Sequence, residues 1–562
     1  MNEYYQEIIE LIKKRKAHKK NLATIKHKLA KKYKIKEVPS DIEIMLNTDK
    51  KDLDFLKKVL LTKPTRSLSG VSVIAIMTKP AQCPHTKKGI GPCIMCPGGP
   101  GSFFGNVPQS YTGKEPATRR AIRNKFDPYL QVMNRLEQYV VTGHMPEKVE
   151  LIIMGGTFPS LPAKYKEEFV TYAFNAMNDF SRLFFKKNEF DIEKFKTFFE
   201  LPGDIEDEKR QRSVHKKLLK LKTKTNLEKE QKKNETAAIR CVGLTIETRS
   251  DYAQLKHANE MLKLGCTRVE LGIQSVYPDV LHKIQRGHST KTTIDAMRNL
   301  KDLGFKINSH YMLGLFVTKE QDLQGMKQLF FDPDYRPDML KLYPCMVLKG
   351  TKLYEFWKKK VYKPLTTAQA ASLIAEFKTH VPIYCRIMRV QRDVPTYMTV
   401  AGVDRTNLRQ YVHKLMDKKG MKCDCIRCRE IGRATKKGTK ITIKVYPYQA
   451  SKGEEFFISA DDEYNNLYGI CRLRFPSRSL RKEVTKDSAL VRELHVFGEA
   501  TSLGKKGSVQ HKGLGKELLK EAELIAKKSN KNKIVIISGI GVREYYRRLG
   551  YKQEGHYMVK KI

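Results

Sequence analysis

At 562 residues the chain is too long for one hydrophobic core; at roughly 150 residues per domain it divides into three or four units. Its 107 Lys and Arg against 61 Asp and Glu give a formal charge of +46, which disfavours cationic partners and points to a polyanion, nucleic acid ahead of an acidic membrane surface. No run of about 18 apolar residues occurs and Met1-Asn-Glu-Tyr-Tyr5 lacks the regions of a secretory signal, so a soluble, cytoplasmic protein with no membrane partner is expected.

Residues 1–65 carry helical apolar spacing (Tyr4, Ile8, Ile9, Ile12) followed by basic runs from Lys13-Lys14-Arg15-Lys16 to Lys31-Lys32. This predicts a basic helical arm that binds nucleic acid or, on charge alone, a solvated helix face. From Val71 short apolar runs alternate with helical periodicity, the pattern of successive βα units. Strands are expected at Val71–Met77, Val149–Met154, Cys241–Ile246, Thr267–Ile273, Lys306–Leu313, Asp338–Met346 and Tyr384–Val390. They imply a complete or partial βα barrel over residues 66–395, with ligands at the carboxyl ends of the strands.

The first strand runs into Cys83-Pro-His-Thr-Lys-Lys-Gly-Ile-Gly-Pro-Cys93-Ile-Met-Cys96. Three cysteines in a Gly- and Pro-punctuated loop offer three thiolates and leave a coordination position open, which suits an iron–sulfur cluster with one iron free for a small molecule. A lysine-rich stretch at about 186–236 reads as a surface insertion, helical and partly mobile. After a helix expected at Asn407–Lys418, Cys423-Asp-Cys425-Ile-Arg-Cys428 brings three thiolates within reach of one tetrahedral ion, and residues 396–437 are expected to be a linker with structural zinc. Its fourth ligand must be a distant His or Cys, or water.

From residue 438 to 562 the texture is that of a separate α+β domain, with strands expected at Ile441–Tyr446, Tyr468–Phe475, Val491–Phe497 and Ile534–Ser538. Gln510-His511-Lys512-Gly513-Leu514-Gly515 opens a helix over Lys516–Lys527, where backbone N–H groups can approach phosphate oxygens. With Gly541-Val-Arg-Glu-Tyr545-Tyr546 thirty residues on, this resembles the GNAT acetyltransferase fold, in which such a segment binds the pyrophosphate of acetyl-CoA. Tyr545 and Tyr546 fall where a general acid belongs.

The wide cysteine gap, Gln109-Ser-Tyr-Thr-Gly-Lys-Glu-Pro116, Met154-Gly155-Gly156-Thr157-Phe158, Glu247-Thr-Arg249-Ser-Asp251, Glu270-Leu-Gly-Ile-Gln274 and Leu340-Lys341-Leu342-Tyr343-Pro344 together closely resemble the Elongator catalytic-subunit family, from about Lys63 to the C-terminus. The resemblance implies α/β and α+β domains in one chain: a radical SAM barrel of partial TIM type, a zinc linker and a GNAT-type acetyltransferase. It implies a [4Fe–4S] cluster on Cys83, Cys93 and Cys96, zinc on Cys423, Cys425 and Cys428, S-adenosylmethionine (SAM), and acetyl-CoA as co-substrate. Gly155, Gly156, Thr157, Glu247, Arg249 and Gln274 become SAM or substrate pocket residues, and Lys341 and Tyr343 catalytic candidates. Lys164, Glu493, Leu494, His495, Val496, residues 510–515 and Tyr545 are expected around acetyl-CoA.

The implied reaction forms 5-carboxymethyluridine at the wobble position of tRNA, recognised through its anticodon stem-loop, with an external electron donor. A homodimer and Elongator accessory subunits are allowed but not required. Two other readings stand beside it: a lysine acetyltransferase with a structural cysteine domain, and a non-catalytic tRNA-binding module. Met95, where relatives often carry an aromatic residue, departs from the pattern, while retention of C-x-C-x-x-C favours a stand-alone enzyme.

Overall fold

A computed structural model describes residues 2–49, 51–62, 69–187, 189–204, 207–498 and 513–562. The expected arm is a packed unit of four helices, α1 (Asn2–Lys13), α2 (Leu22–Lys32), α3 (Asp41–Leu46) and α4 (Leu53–Leu60). Tyr4, Ile8 and Ile12 recur at helical spacing on one face of α1 and are buried with Leu29, Ile44, Leu56 and Leu60. A capping box of Ser40 and Glu43 starts α3. The basic residues are what this packing leaves outside.

All seven strands anticipated for the barrel form, and they form one parallel sheet: β1 (Ser72–Met77), β2 (Lys148–Met154), β3 (Arg240–Thr248), β4 (Arg268–Gln274), β5 (Lys306–Leu313), β6 (Met339–Pro344) and β7 (Arg386–Arg389). They lie in sequence order, with Ser72 opposite Val149 and Met339 opposite Asn308. Helices cover the outside, so the strands read as nearly continuous apolar runs. Among the described residues β1 and β7 do not pair with each other, so the barrel is open along one side.

The lysine-rich stretch is more embedded than its composition suggested. Helices at Ile192–Phe199, Glu208–Leu221 and Leu227–Asn234 pack around Phe180, Phe184, Phe195 and Phe199. Arg210 pairs with buried Glu137, while Glu230 accepts from Asn178 at 2.8 Å. Each buried charge has a partner, as burial requires, and most lysines of these helices face outward.

The C-terminal residues form a second seven-stranded sheet from β8 (Ile441–Ala450), β9 (Gly453–Asp462), β10 (Leu467–Phe475), β11 (Ser488–Val496), β12 (Lys533–Ile536), β13 (Lys552–Glu554) and β14 (Tyr557–Lys561), in the order β8-β9-β10-β11-β12-β14-β13. β11 and β12 are parallel, their neighbours antiparallel, and the helix Leu514–Lys528 crosses between that pair. This sheet abuts the amino-terminal ends of the barrel strands. Arg492 holds Asp338, just before β6, at 2.6 Å and donates to Phe305 O at 2.8 Å; Arg472 reaches Tyr384 O at 2.7 Å; Glu493 accepts from Lys306 at 3.4 Å. Asp302 takes two bonds from Arg474, at 3.0 and 2.5 Å. Among the described residues no helix is long and apolar enough to cross a membrane.

Candidate active site

The carboxyl ends of the barrel strands surround a cavity of about 530 Å³. Cys83, Cys93 and Cys96 all reach its wall from the loop after β1. That loop is pinned from several sides: Thr86 N–H donates to Cys83 O at 2.9 Å, Cys96 N–H to Cys93 O at 2.8 Å, and Ile94 is bonded to Ile284 and Leu353 through its backbone. The long first gap has its own anchor in His85, which is buried. Its ring meets Asp251 at 2.7 Å and Arg249 at 3.0 Å. It sits so close to Gly287, at φ +75°, that a Cβ there would fall 1.8 Å from Nδ1, so only glycine admits it.

Donors aim at the sulfurs. Gln109 Nε2 lies 2.9 Å from Cys96 Sγ, Ser110 Oγ lies 3.5 Å from the same sulfur, and fully buried Arg286 directs Nη1 at Cys93 Sγ over 3.6 Å. Polar hydrogens around thiolates suit an anionic metal-bound group. Burial pushes the Cys83 thiol up, so metal ligation is the natural way to keep it deprotonated.

Across the cavity stands a buried ionic cluster. Lys341, on β6, is bonded to Glu270 on β4 and lies 3.8 Å from Glu247 on β3. Glu270 also accepts from His310 at 3.0 Å and Asn308 at 3.2 Å, both on β5, and Tyr111 O–H donates to Glu247 at 3.0 Å. Burial pushes the Glu247 carboxyl up to about 7, with Lys341 pulling the other way. Burial opposes charge on Glu270 too, yet Lys341 and His310 hold it well below its usual range. His310 is lowered to about 4 by burial and by Lys341, so it is neutral and donates to the carboxylate. Glu247, Glu270 and His310 offer ligand atoms within 4.8 Å of one another, but the Lys341 ammonium already serves the two carboxylates. The Gln274 amide oxygen is buried with no partner among the described residues, at a residue held at φ +69° beside the cavity.

The anticipated pocket residues therefore come together: Gly156, Thr157, Glu247, Arg249, Gln274, Lys341 and Tyr343 line this one cavity, and Gly155 accepts from Thr78 beside it. Glu270, His310, Arg286 and Tyr111 are the functional positions that sequence reasoning passed over. For Glu270 and His310 a signal existed, polar side chains on inward positions of apolar strands; nothing local marks Arg286.

The second cysteine group behaves differently. Cys423, Cys425 and Cys428 place their sulfurs within 4.8 Å of one another, near the ~3.8 Å separation that tetrahedral ligation of one ion at about 2.3 Å imposes. Among the described residues Cys83, Cys93 and Cys96 form no such tight group, as befits thiols spread around a larger centre. The Lys378 ammonium, 1% exposed, lies 3.3 Å from Cys423 Sγ and 3.4 Å from Cys428 Sγ, a counter-charge that nothing in the local sequence announces.

In the C-terminal domain, Val496, Gly515 and Tyr545 converge: a Cβ on Gly515 would meet the Tyr545 hydroxyl at 3.1 Å and Val496 at 3.7 Å. By strand alternation Leu494 shares the Val496 face. Glu493 and His495 turn to the barrel instead, Glu493 to Lys306 at 3.4 Å and His495 to Ser69 O at 2.8 Å. Tyr546 is a core residue against Tyr551, whereas Tyr545 is partly open, so of the two expected catalytic tyrosines only Tyr545 faces the patch. Gly513 caps the following helix at φ +92°, with Leu514 as its first residue. Gln510, His511 and Lys512 lie outside the described residues. Lys164 is exposed in the first turn of the helix after β2.

Comparison with known proteins gives this geometry its context. Residues 92–330 match the radical SAM superfamily, 337–418 the radical SAM C-terminal domain and 1–68 the ELP3 N-terminal domain. The chain is 44% identical over 557 residues to the tRNA uridine(34) acetyltransferase of Methanocaldococcus infernus, covering 97% of this chain and 96% of that protein. It is 38% identical over 559 residues to Elongator complex protein 3 of Saccharomyces cerevisiae, covering 96% and 92%. The solved structure of archaeal Methanocaldococcus infernus Elp3 with an N-terminal deletion superposes with a TM-score of 0.70 at 39% identity, covering 88% of this chain and all of that one. With three thiols on one wall of a half-barrel and near end-to-end similarity to these proteins, the chain belongs to the radical SAM superfamily and, within it, to the Elongator protein 3 family.

Proposed function

We propose that this protein modifies the wobble uridine of tRNA, forming 5-carboxymethyluridine from acetyl-CoA by SAM-dependent radical chemistry. The observation that carries the reading is the two-walled cavity: three loop thiols on one side, and the Lys341, Glu270, Glu247 and His310 cluster on the other. A [4Fe–4S] cluster held by Cys83, Cys93 and Cys96 supplies, when bound, the electron that cleaves SAM to methionine and a 5′-deoxyadenosyl radical.

The chain's own residues define where that radical can act. Gln109 and Arg286 orient the cysteine sulfurs; Gly156 and Thr157 let the backbone of the β2 loop approach the amino acid portion of SAM; the partnerless Gln274 carbonyl is a ready acceptor for a ligand N–H or O–H. A hydrogen atom removed from the acetyl methyl group leaves a carbon radical that adds to uracil C5. Loss of the C5 proton and of one electron, to a carrier of the class that delivers the priming electron, restores the ring, and thioester hydrolysis leaves the carboxymethyl group. Glu247, its carboxyl near 7, has the proton affinity to accept that proton, and Lys341 the charge to steady an enolate-like carbonyl oxygen.

Acetyl-CoA is assigned to the C-terminal domain, read as GNAT-type, with Gly513 and Gly515 at the helix start for the pyrophosphate and Tyr545 beside the thioester. That domain meets the amino ends of the barrel strands, whereas the cavity lies at their carboxyl ends, about 20 Å away for strands of this length. The open side between β1 and β7 offers the route, since Val73 and Ala75 on β1 line the cavity. Zinc is assigned to Cys423, Cys425 and Cys428 as a structural ion, with Lys378 balancing the thiolates. The excess positive charge and the N-terminal four-helix unit supply phosphate affinity for the RNA. The test is 5′-deoxyadenosine formation: anaerobic, reduced, iron-reconstituted protein with SAM, acetyl-CoA and tRNA produces it, and Cys93→Ser does not. Equal production by the serine variant overturns the assignment.

A further inference from the structure

Two exposed aromatic side chains, each next to a residue whose apolar cluster reaches the cavity wall through Val394, have no role in the reaction as derived. Phe103 is 64% exposed and Tyr397 is 75% exposed, the latter the most exposed of the large apolar and aromatic side chains described. Single exposed rings are ordinary, but these two rise from one anchored base. The hairpin Gly99–Ser102 and Gly105–Val107 turns at Phe103-Phe104, and Tyr397 lies in the short helical turn Thr396–Met398. Phe104 and Met398, the immediate neighbours, pack together on Met346, Leu348 and Val394. Val394 lines the cavity, and so does Gln109, two residues past the hairpin.

Neither ring is held by its own burial; the backbone beneath it is fixed. A Cβ on Gly350, at φ +76°, would fall 2.1 Å from the Phe103 Cβ, so the hairpin tip rests directly on a glycine turn. Beyond Tyr397 the chain enters a two-stranded pairing in which Thr399 opposes Leu348 and Ala401 opposes Val347. Cations stand beside the cavity: Arg392 lines it and donates to Ser110 O at 2.7 Å, and Arg389, ion-paired with Asp393, lines it with 46% of its side chain open. Rigid exposed rings beside arginines at the mouth of a nucleotide-sized cavity are the arrangement by which proteins hold unstacked RNA bases. An apolar peptide would have no use for the arginines, and a chain of charge +46 favours a polyanion.

We propose that Phe103 and Tyr397 form a stacking platform for RNA bases flanking the nucleotide that enters the cavity. The platform holds the anticodon loop open while Arg389 and Arg392 meet the adjoining phosphates. This rests on the reading that the cavity receives a wobble uridine. Because stacking is tolerant of base identity, the platform supplies affinity and loop geometry, leaving selection of the uridine to the cavity.

The test uses the full chain, reconstituted with iron, and an anticodon stem-loop RNA carrying 2-aminopurine next to the wobble uridine. Binding of the parent protein should change the 2-aminopurine fluorescence, reporting transfer from the RNA stack to a protein ring. Tyr397→Ala and Phe103→Ala should each weaken binding by about 5- to 100-fold and reduce the fluorescence change, while Tyr397→Phe keeps both within about twofold of the parent. Unaltered iron content and melting temperature in the alanine variants separate loss of stacking from loss of structure. If parent and alanine variants bind with equal affinity and the same fluorescence change, the platform is overturned and the wobble-uridine reading stands; a rim meant for peptide gives this outcome. If the iron-loaded parent does not bind the RNA at all, the reading of the cavity falls and the platform with it.

Discussion

Two clusters of buried charge, at opposite ends of the barrel, show how similar residues serve different ends. In the seam between the domains, Asp302, Asp338 and Glu455 are matched by Arg474, Arg492, Arg472 and Lys301, all of them at most 1% exposed. Burial opposes charge on Asp338, but Arg492 and Arg472 hold its carboxyl far below the usual range, so it stays ionised at any ordinary pH. The cavity cluster is not matched in this way. One lysine serves two carboxylates, Glu247 stays near 7, and the Asn308 and Gln274 carbonyl oxygens have no partner among the described residues. Charges closed on one another build structure. Charges left incomplete around free space can bind a ligand and move a proton.

Perturbing each cluster should therefore give opposite signatures. The largest stability effect is expected in the seam: Asp338→Ala strands Arg492 and Arg472 in a dry interface and should lower the denaturation midpoint by the equivalent of about 3–5 kcal/mol. Lys341→Met should reverse the balance, cutting wobble-uridine product about 100-fold or more while the melting temperature moves far less. Glu270 can still draw on His310 and Arg268 when the lysine is gone. A Lys341 variant as unstable as the Asp338 variant would erase the distinction.

The pH dependence is a gentler probe. Glu247 is raised from 4.5 to about 7, so between those values the folded protein keeps a proton that the unfolded chain has released. Stability must fall as pH rises through that window, then level above it. Asp322, raised to about 7 by burial, acts with the same sign, and His310, lowered to about 4, with the opposite one. Glu247→Gln should therefore remove only part of the slope, seen as a flatter melting temperature between about pH 4.5 and 7. The smallest effect belongs to the exposed pair Lys263 and Glu167, 2.8 Å apart, where Lys263→Ala should cost no more than about 0.5 kcal/mol by the same melting assay.

Much of this was legible in the sequence where the signal is local. The seven barrel strands are runs of Val, Ile and Leu that announce themselves, and the cysteine spacing marks both cysteine groups before any fold is known. What escaped depends on partners distant along the chain. Strand β9 begins and ends in acidic residues, Gly-Glu-Glu and Asp-Asp; the arginines of β10 and β11 make the burial of Glu455 tolerable, and Arg429, from the second cysteine group, does the same for Asp461. The Lys-rich insertion looks solvated because its buried Arg210, Glu230 and Glu235 find partners in Glu137, Asn178 and the Arg543–Arg547 helix. Tyr545 and Tyr546 are neighbours in sequence with opposite fates, one facing the patch and one the core, which depends on the angle at which their short helix docks. His310 and Arg286 become site residues only when β4, β5 and the cysteine loop are brought together.

The central claim is that a carbon radical made from the acetyl methyl group is joined to uracil C5. It is tested most directly by supplying acetyl-CoA with three deuterons on that methyl group and analysing both products by mass spectrometry. The expected products are 5′-deoxyadenosine carrying one deuteron and a wobble carboxymethyl group carrying two. A wobble uridine bearing an acetyl group with all three deuterons, or modified uridine formed with unlabelled 5′-deoxyadenosine, would contradict it.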